Sequence, residues 1–282
     1  MVAVVAESSA LSELLARPAA LPALPRAIRE LTTLLDSEEV SLDAVVRLLG
    51  AEPGLAMRVL RLANSSFYGR TRAVESVADA VLLIGLAALK VLVLGSGITA
   101  AVRLPESLAR GHYWRHCLHT AVGARYFAVH AQVDPQAAFT AGLVHAIGEP
   151  ILGQQFGAEL RRLDERLPFY DGERAEGERQ RLGVGYPEVG AELARRWHFP
   201  ATLVEAIRAA PEPLREAPFN PYAGCVYLAR HLASDTERKR NPQESCATLD
   251  ARVLDQLGLS AEVAFAMPPY ARLSQGLETL FS

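Results

Sequence analysis

The spacing of apolar residues constrains the fold of this chain more than any other feature. Apolar residues recur three and four positions apart, as at Ile28, Leu31, Leu34 and Leu35, which places them on one face of a helix. No stretch shows the alternation of apolar and polar residues that a half-buried strand requires. The chain is therefore predicted to be all-α, with helices joined by short connections.

The composition agrees with a helical, globular protein. Half of the 282 residues are hydrophobic, and alanine, leucine and valine carry the apolar content. The net charge of −3 argues against a nucleic-acid partner, because such proteins usually have a basic domain. The three cysteines, Cys117, Cys225 and Cys246, form neither a CxxC pair nor a disulfide framework. This pattern is typical of thiols in a reducing cytoplasm.

Two segments bear on localisation. Residues 1–10 are apolar but carry no positive charge, so they lack the start of a secretory signal. Residues 80–102 are long enough to span a bilayer, but Lys90 lies near their centre and three glycines divide the run. We therefore expect buried core helices here rather than a membrane span, and a cytoplasmic protein.

Caps and breakers predict where the elements begin and end. Ser41 and Ser76 are expected to be N-caps, with helices following each. A tight turn is predicted at 67–69. A long helix is predicted over 106–129 and another over 135–146. Residues 148–150 are predicted to end the second of these. Two charged segments, 171–182 and 235–248, are predicted to be an exposed loop or frayed helix and a mobile connection, respectively.

Several short motifs occur in a fixed order along the chain, and together they resemble the HDOD family, the output-domain relatives of HD metal-dependent phosphohydrolases. The resemblance covers about residues 18–270. It implies an all-α fold of two lobes, with an N-terminal helical lobe packed on an HD-like lobe. The motifs are Leu21–Pro25, Glu52–Leu55, Leu60–Ser65 with Tyr68–Gly69, Ile84–Leu86, Trp114–Cys117, Ala141–Gly148, and Gly190–Leu193 with Trp197 and Pro200.

The resemblance and the break at Pro105 together predict the domain organisation. The predicted parts are an N-terminal arm (1–20), the N-terminal helical lobe (21–104), the HD-like helical lobe (105–234), and a C-terminal connection with closing helices (235–282).

The resemblance also implies which positions once held a metal. HD hydrolases bind a divalent cation through one histidine, a His-Asp pair and a late aspartate, and the metal activates a bound water. His116 matches the first histidine, and His145 matches the histidine of the pair. The partner of His145 is Ala146, which has no ligand atom. The carboxylate for which the family is named is therefore absent at that position.

Further positions depart from the family pattern. Glu149 stands where related proteins have lysine, and Tyr186 where they often have histidine. Ala209 and Ala210 occupy the double-histidine position. Arg230 falls near the late aspartate, and its permanent charge prevents it from acting as a ligand. Two imidazoles remain, fewer than the three protein ligands usual at catalytic zinc. We therefore expect no metal and no other cofactor.

A site built from histidines alone is the alternative. His112, His116 and His119 share one helix face, and His145 is expected nearby. We prefer the interpretation that His112 and His119 are exposed or bonded to backbone oxygens.

The resemblance implies a non-catalytic module that transmits a bacterial signal through contacts with protein partners. Since the match uses nearly the whole chain, a stand-alone adaptor is expected. Two alternatives stay open. One is a residual phosphohydrolase or phosphodiesterase that uses His116 and His145. The other is a sensor whose vacated metal pocket binds a small nucleotide. The residues expected to line that pocket are His116, His145, Glu149, Tyr186 and Arg230.

Overall fold

The computed structural model describes residues 10–16, 21–35, 37, 39–64, 73–106, 108–215, 217–275 and 277. Among these residues every regular element is a helix, which confirms the all-α prediction. The helices are α1 (residues 10–16), α2 (Arg26–Leu35), α3 (Leu42–Gly50), α4 (Pro53–Ala63), α5 (Val77–Ala101), α6 (Arg110–His130), α7 (Pro135–Val144), α8 (Gly148–Gln155), α9 (Gly157–Asp164), α10 (Arg174–Leu182), α11 (Tyr186–Arg196), α12 (Ala201–Ala209), α13 (Pro221–Glu237), α14 (Pro242–Ala247), α15 (Ala251–Gln256), α16 (Ala261–Phe265) and α17 (Tyr270–Leu273).

Both predicted serine caps are present. The Ser41 hydroxyl accepts a hydrogen bond from the amide of Ala44, and the Ser76 hydroxyl accepts one from the amide of Asp79. Each bond satisfies a first-turn N–H group that has no partner within its helix. The predicted turn at 67–69 lies outside the described residues, as do residues 1–9 and 17–20 of the predicted arm.

The apolar helix α5 is broken at Gly85, as predicted from the sequence. Gly85 has a φ of +79°, a conformation that glycine adopts without steric cost. The segments Val77–Leu86 and Ala88–Ile98 consequently meet at an angle of 105°. Within the described ranges no single helix is long and apolar enough to cross a membrane, and only this bent pair meets that test jointly, by length and composition.

Two boundaries in the middle of the chain differ from the predictions. Helix α6 begins at Arg110, four residues later than expected, and its N-cap Ala109 still has a non-helical backbone, with φ −57° and ψ 115°. Residues 148–150 begin α8 instead of ending α7. Proline fits there because the first-turn amides of a helix have no intrahelical acceptor, so the missing N–H of Pro150 costs nothing.

The two charged segments are also more ordered than predicted. Residues 174–182 form α10, whose inner face buries Arg174 and Glu178. In the second segment α13 continues to Glu237 and α14 follows, and Asp235 is buried. Apolar periodicity missed both, because Arg174 and Glu178 on α10 and Asp235 on α13 are buried through ion pairs.

The chain divides into two compact units, Ala23–Arg103 with Ser274–Ser282, and Met1–Pro22 with Leu104–Leu273. In the larger unit α6 packs along α7 and α13. Tyr113, Cys117 and Phe127 on α6 are fully buried, so this helix lies at the centre of the unit. Any polar side chain on its inner face is therefore shielded from water.

Candidate functional site

Two imidazoles meet in the core of the larger unit. His116 lies on α6 and His145 directly follows α7, and each is only 1% exposed. Their ring centroids are 5.6 Å apart. Gly142 permits this approach, because a Cβ atom there would lie 2.8 Å from Cα of Ala121 on α6. The structure thus brings together the two histidines that the sequence singled out.

The hydrogen bond of His145 determines its tautomer. Its Nδ1 lies 2.7 Å from the carbonyl oxygen of Gly142. A carbonyl can only accept, so Nδ1 carries the proton and Nε2 keeps a lone pair. Burial lowers the pKa of His145 to about 3, because the charged ring would be desolvated. The ring is therefore neutral at pH 7.

His116 has no comparable anchor. Neither of its ring nitrogens has a hydrogen-bond partner among the described residues, although the side chain is fully buried. Burial, together with the neighbouring His145 and Arg230, holds the pKa of His116 well below its usual value. The rings of Phe169 and Tyr170 cover it, with centroids at 5.5 Å and 6.2 Å. Buried polar groups without partners are rare in proteins, so this ring is a candidate binding group.

Arg230 on α13 is the third charged or titratable group of the site, and it is 5% exposed. Its Nη1 donates to the carbonyl oxygen of Asp171 at 3.1 Å and to the Tyr186 hydroxyl at 3.4 Å. Its Nη2 donates to the carbonyl oxygen of Gly172 at 3.5 Å. Its Nε is buried with no partner, and within the described part of the chain no carboxylate forms an ion pair with Arg230. A buried cation is thus held by uncharged oxygens alone.

Tyr186, at the start of α11, connects this site to a second polar group. Its hydroxyl accepts from Arg230, and its amide donates to Oε2 of Glu178 at 2.7 Å. Burial raises the pKa of Tyr186 to about 12, so the phenol is neutral. Gly148 lets α8 pack against this turn, because a Cβ atom there would lie 2.0 Å from the carbonyl oxygen of Tyr186.

The second polar group is the Arg174 cluster, formed by Arg174, Glu149, Glu178 and Asp164. Nε of Arg174 lies 2.8 Å from Oε1 of Glu178 and 3.2 Å from Oε1 of Glu149. Its Nη1 donates to Asp164 at 2.7 Å and to the carbonyl oxygen of Leu167 at 2.6 Å. The carboxyl group of Glu149, which was predicted to line the pocket, therefore contacts Arg174.

The two buried glutamates of this cluster differ in their protonation. Burial raises the pKa of both carboxyl groups, and repulsion by Glu178 raises that of Glu149 further. Hydrogen bonds from Arg174 and from the Tyr186 amide oppose the rise in the pKa of Glu178. We therefore assign the proton to Glu149 and the negative charge to Glu178.

The residues at the positions that the resemblance compares with a metal site do not fit a divalent cation. Ala146 offers only its carbonyl oxygen, which already accepts from the Tyr113 hydroxyl at 2.9 Å. Arg230 brings a positive charge to the histidines instead of a carboxylate. In the described part of the chain, no group of three or more His, Cys, Asp or Glu side chains could hold a metal ion. Catalytic zinc usually has three protein ligands, and two imidazoles do not suffice.

The other predicted positions contribute little. Ala209 ends α12 and Ala210 follows it, and neither side chain has a polar atom. His112 lies 2.5 Å from Oε2 of Glu237, and His119 stacks on Tyr270 with centroids 4.3 Å apart. The preferred interpretation, exposure or bonding to backbone oxygens, is therefore wrong for His112, which a carboxylate contacts, and the stacking on Tyr270 does not test it for His119.

Sequence reasoning missed two parts of the site. Arg174 and Glu178 were placed in an exposed segment, although their i, i+4 spacing is a known signal for a helical ion pair. Residues 169–172, which cover His116 and hold Arg230 through two carbonyl oxygens, were also missed. Backbone acceptors carry no side-chain signature, so no sequence pattern could have identified their role.

The larger unit is entirely helical in its described part and buries two histidines side by side. The protein is therefore an all-α protein with an HD-like helical fold. The family model of the HDOD domain matches residues 21–213, which is more than half of the chain. The chain belongs to the HDOD family.

Three relatives show how far the similarity extends. An uncharacterized protein of Treponema pallidum (strain Nichols) is 26% identical over 259 residues, which are 86% of this chain and 48% of that protein. The chain thus spans about half the length of this curated relative. A structure from Shewanella amazonensis SB2B with a provisional phosphohydrolase name is 28% identical, with a TM-score of 0.77 and coverage of 98% and 97% of the two chains. An HDOD domain protein of unknown function from Geobacter sulfurreducens is 22% identical, with a TM-score of 0.78 and 98% of both chains covered.

Proposed function

We propose that this chain is a non-catalytic HDOD signalling module of a bacterial regulatory pathway, and that it acts through contacts with other proteins. The observation that carries the proposal is Arg230, a buried cation in the electrostatic neighbourhood of His116 and His145. A positive charge close by in a weakly screened interior opposes the binding of a divalent cation. On this proposal, the site keeps the two histidine positions of a metal centre but does not bind the metal ion.

Two further observations support parts of this proposal. The three cysteines are free and buried, which favours a cytoplasmic location. A structure from Marinobacter aquaeolei VT8 with a provisional signal-transduction name has a TM-score of 0.75 at 24% identity, covering 99% of this chain and 64% of that one. That likeness concerns the fold, and the signalling role of this chain is our proposal.

Elemental analysis and a phosphodiesterase assay test the non-catalytic part. The purified full chain is assayed with Mn²⁺, Mg²⁺ or Zn²⁺ beside the double variant His116→Ala/His145→Ala. We expect no stoichiometric metal and equal background hydrolysis in both proteins. Bound metal with turnover that the double variant loses would overturn the proposal.

A residual phosphohydrolase is the second candidate. It is favoured by the similarity to the Shewanella amazonensis structure and by the lone pair that His145 keeps on Nε2. The same assay decides between the two candidates. An affinity pull-down from the native cell, repeated with the double variant, tests the protein contacts: we expect the same partner with both proteins, because adaptor function does not need the histidines.

A further inference from the structure

The charge balance around Arg230 is incomplete. Its guanidinium carries one permanent positive charge, and its Nε is buried without a partner among the described residues. The nearest groups that it contacts are two carbonyl oxygens and a phenol, all uncharged. Isolated buried charges are strongly unfavourable, and proteins normally pair them. Among the described residues, the site therefore has no anion that compensates Arg230.

The donors around this charge also lack acceptors. Nε–H of Arg230 and both ring nitrogens of His116, at least one of which carries a hydrogen, are buried without a partner among the described residues. The Tyr186 hydroxyl accepts from Arg230 and keeps its own hydrogen to donate. Unpartnered donors beside an uncompensated cation are the arrangement that an oxyanion satisfies.

We propose that the site formed by His116, His145, Tyr186 and Arg230 binds a phosphate group in place of the metal. Arg230 and a ring N–H of His116 donate to its oxygens, and Nε2 of His145, which has a lone pair, accepts from the hydroxyl of hydrogen phosphate. Sulfate has no such hydroxyl near neutral pH, so the geometry favours phosphate over sulfate. The proposal rests on the proposed function only in that no metal occupies the position.

The covering segment 169–172 connects this binding to the rest of the protein. Side chains one helical turn apart on α13 hold it: Arg230 bonds its carbonyl oxygens, and Ser234 donates to the carbonyl oxygen of Tyr170 at 2.5 Å. Arg238, another turn along, forms an ion pair with the Asp171 carboxylate. A phosphate competes with the two carbonyl oxygens for Arg230, so binding loosens one of the three attachments.

Isothermal titration calorimetry on the full chain tests this inference. The protein is prepared without phosphate or sulfate and with EDTA, then titrated with inorganic phosphate, sulfate and AMP. We expect saturable one-site binding of phosphate that is tighter than that of sulfate. Arg230→Gln should weaken it about tenfold to hundredfold, because hydrogen bonds to charged groups contribute on that scale. The matched control is Arg252→Gln, an exposed arginine on α15.

The AMP arm distinguishes the source of the phosphate group. Tighter binding of AMP with the same dependence on Arg230 supports a phosphomonoester ligand, and phosphate alone supports a free ion. Absence of saturable binding to all three probes would overturn the proposal, as would equal binding by Arg230→Gln. EDTA separates this outcome from a failure of the proposed function, which would require metal-dependent turnover.

A second measurement keeps the test decisive if Arg230→Gln does not fold. In the wild-type protein labelled with ¹³C-histidine, phosphate should shift the ring resonances of His116 and leave those of the exposed His130 unchanged. His116→Phe should lower phosphate affinity while keeping the aromatic packing against Phe169. Equal perturbation of both histidines would contradict binding at this site.

Discussion

Two buried arginines in the same compact unit have very different contact partners. Arg174, 1% exposed, contacts the carboxyl groups of Glu149, Glu178 and Asp164. Arg230, 5% exposed, contacts two carbonyl oxygens and a phenol. A buried charge that is paired with opposite charges fits a structural role. A buried charge without such a partner, beside residues whose pKa values are strongly shifted, is a candidate for a functional site. The difference separates the part of this core that holds the fold from the part available for a ligand.

Tyr186 lies between the Arg174 cluster and the site of Arg230, and its bonds keep the two groups of side chains separate. Its backbone amide bonds Glu178, while its hydroxyl bonds Arg230. The carboxylates are thereby retained on the Arg174 side, with Glu149 bound there as well.

Removal of the compensated cation should be the most damaging change. Arg174→Met leaves the carboxyl groups of Glu178 and Asp164 without their cation, which typically costs about 3–5 kcal/mol. Urea denaturation should show the loss in the free energy of unfolding. Arg195→Met, at an exposed ion pair with Glu192, is the control and should leave the midpoint unchanged. If both variants behave alike, the Arg174 cluster does not stabilise the fold.

The two buried glutamates should differ in importance. Glu178→Gln removes the charged acceptor of Arg174 and of the Tyr186 amide, and should cost about 1.5–3 kcal/mol. Glu149→Gln resembles the protonated form already present, so we expect a cost below about 1 kcal/mol. Paired urea titrations at one pH measure both. The reverse order would show that the proton resides on Glu178.

The histidines should make the protein sensitive to acid. The pKa of His145 is about 3 in the folded protein and 6.5 in its ordinary, solvated state. Between these two pH values the unfolded state therefore binds a proton at His145 and the folded state does not. Stability is therefore fully present above pH 6.5 and is lost as the pH falls below it, by about 1.4 kcal/mol per pH unit. His145→Asn should reduce the slope between about pH 6 and 5 by that amount.

Urea unfolding at each pH measures this slope, and His130→Gln, an exposed histidine bonded to its own helix, serves as control. An unchanged slope in His145→Asn would mean that the ring is not buried as a neutral group.

Replacement of Arg230 should change the free energy of unfolding least. Arg230→Met removes a buried charge that has no counter-ion, so without phosphate we expect a change within about 1 kcal/mol in either direction. Thermal and urea denaturation in phosphate-free buffer measure it. A loss as large as that of Arg174→Met would abolish the distinction between the two arginines, because it would imply a compensating charge near Arg230.

Local signals accounted for much of the fold. The caps at Ser41 and Ser76 and the break at Gly85 depend on residues within a few positions of each other, so they could be predicted from the sequence. The largest error, at 171–182, arose where local apolar periodicity is weak. Helix α10 exists there because Arg174 finds carboxylates from Glu149 and Asp164, which are distant in sequence.

The candidate site divides in the same way. The chain alone determined that Ala146 and Arg230 cannot be metal ligands, since ligand capacity is a property of each side chain. It also determined the all-α class, through helical spacing. Three features needed the fold: Glu149 contacts Arg174, and among the described residues His116 lacks hydrogen-bond partners and Arg230 lacks a counter-ion. Charge compensation depends on distances between side chains from different helices, and packing alone sets those distances.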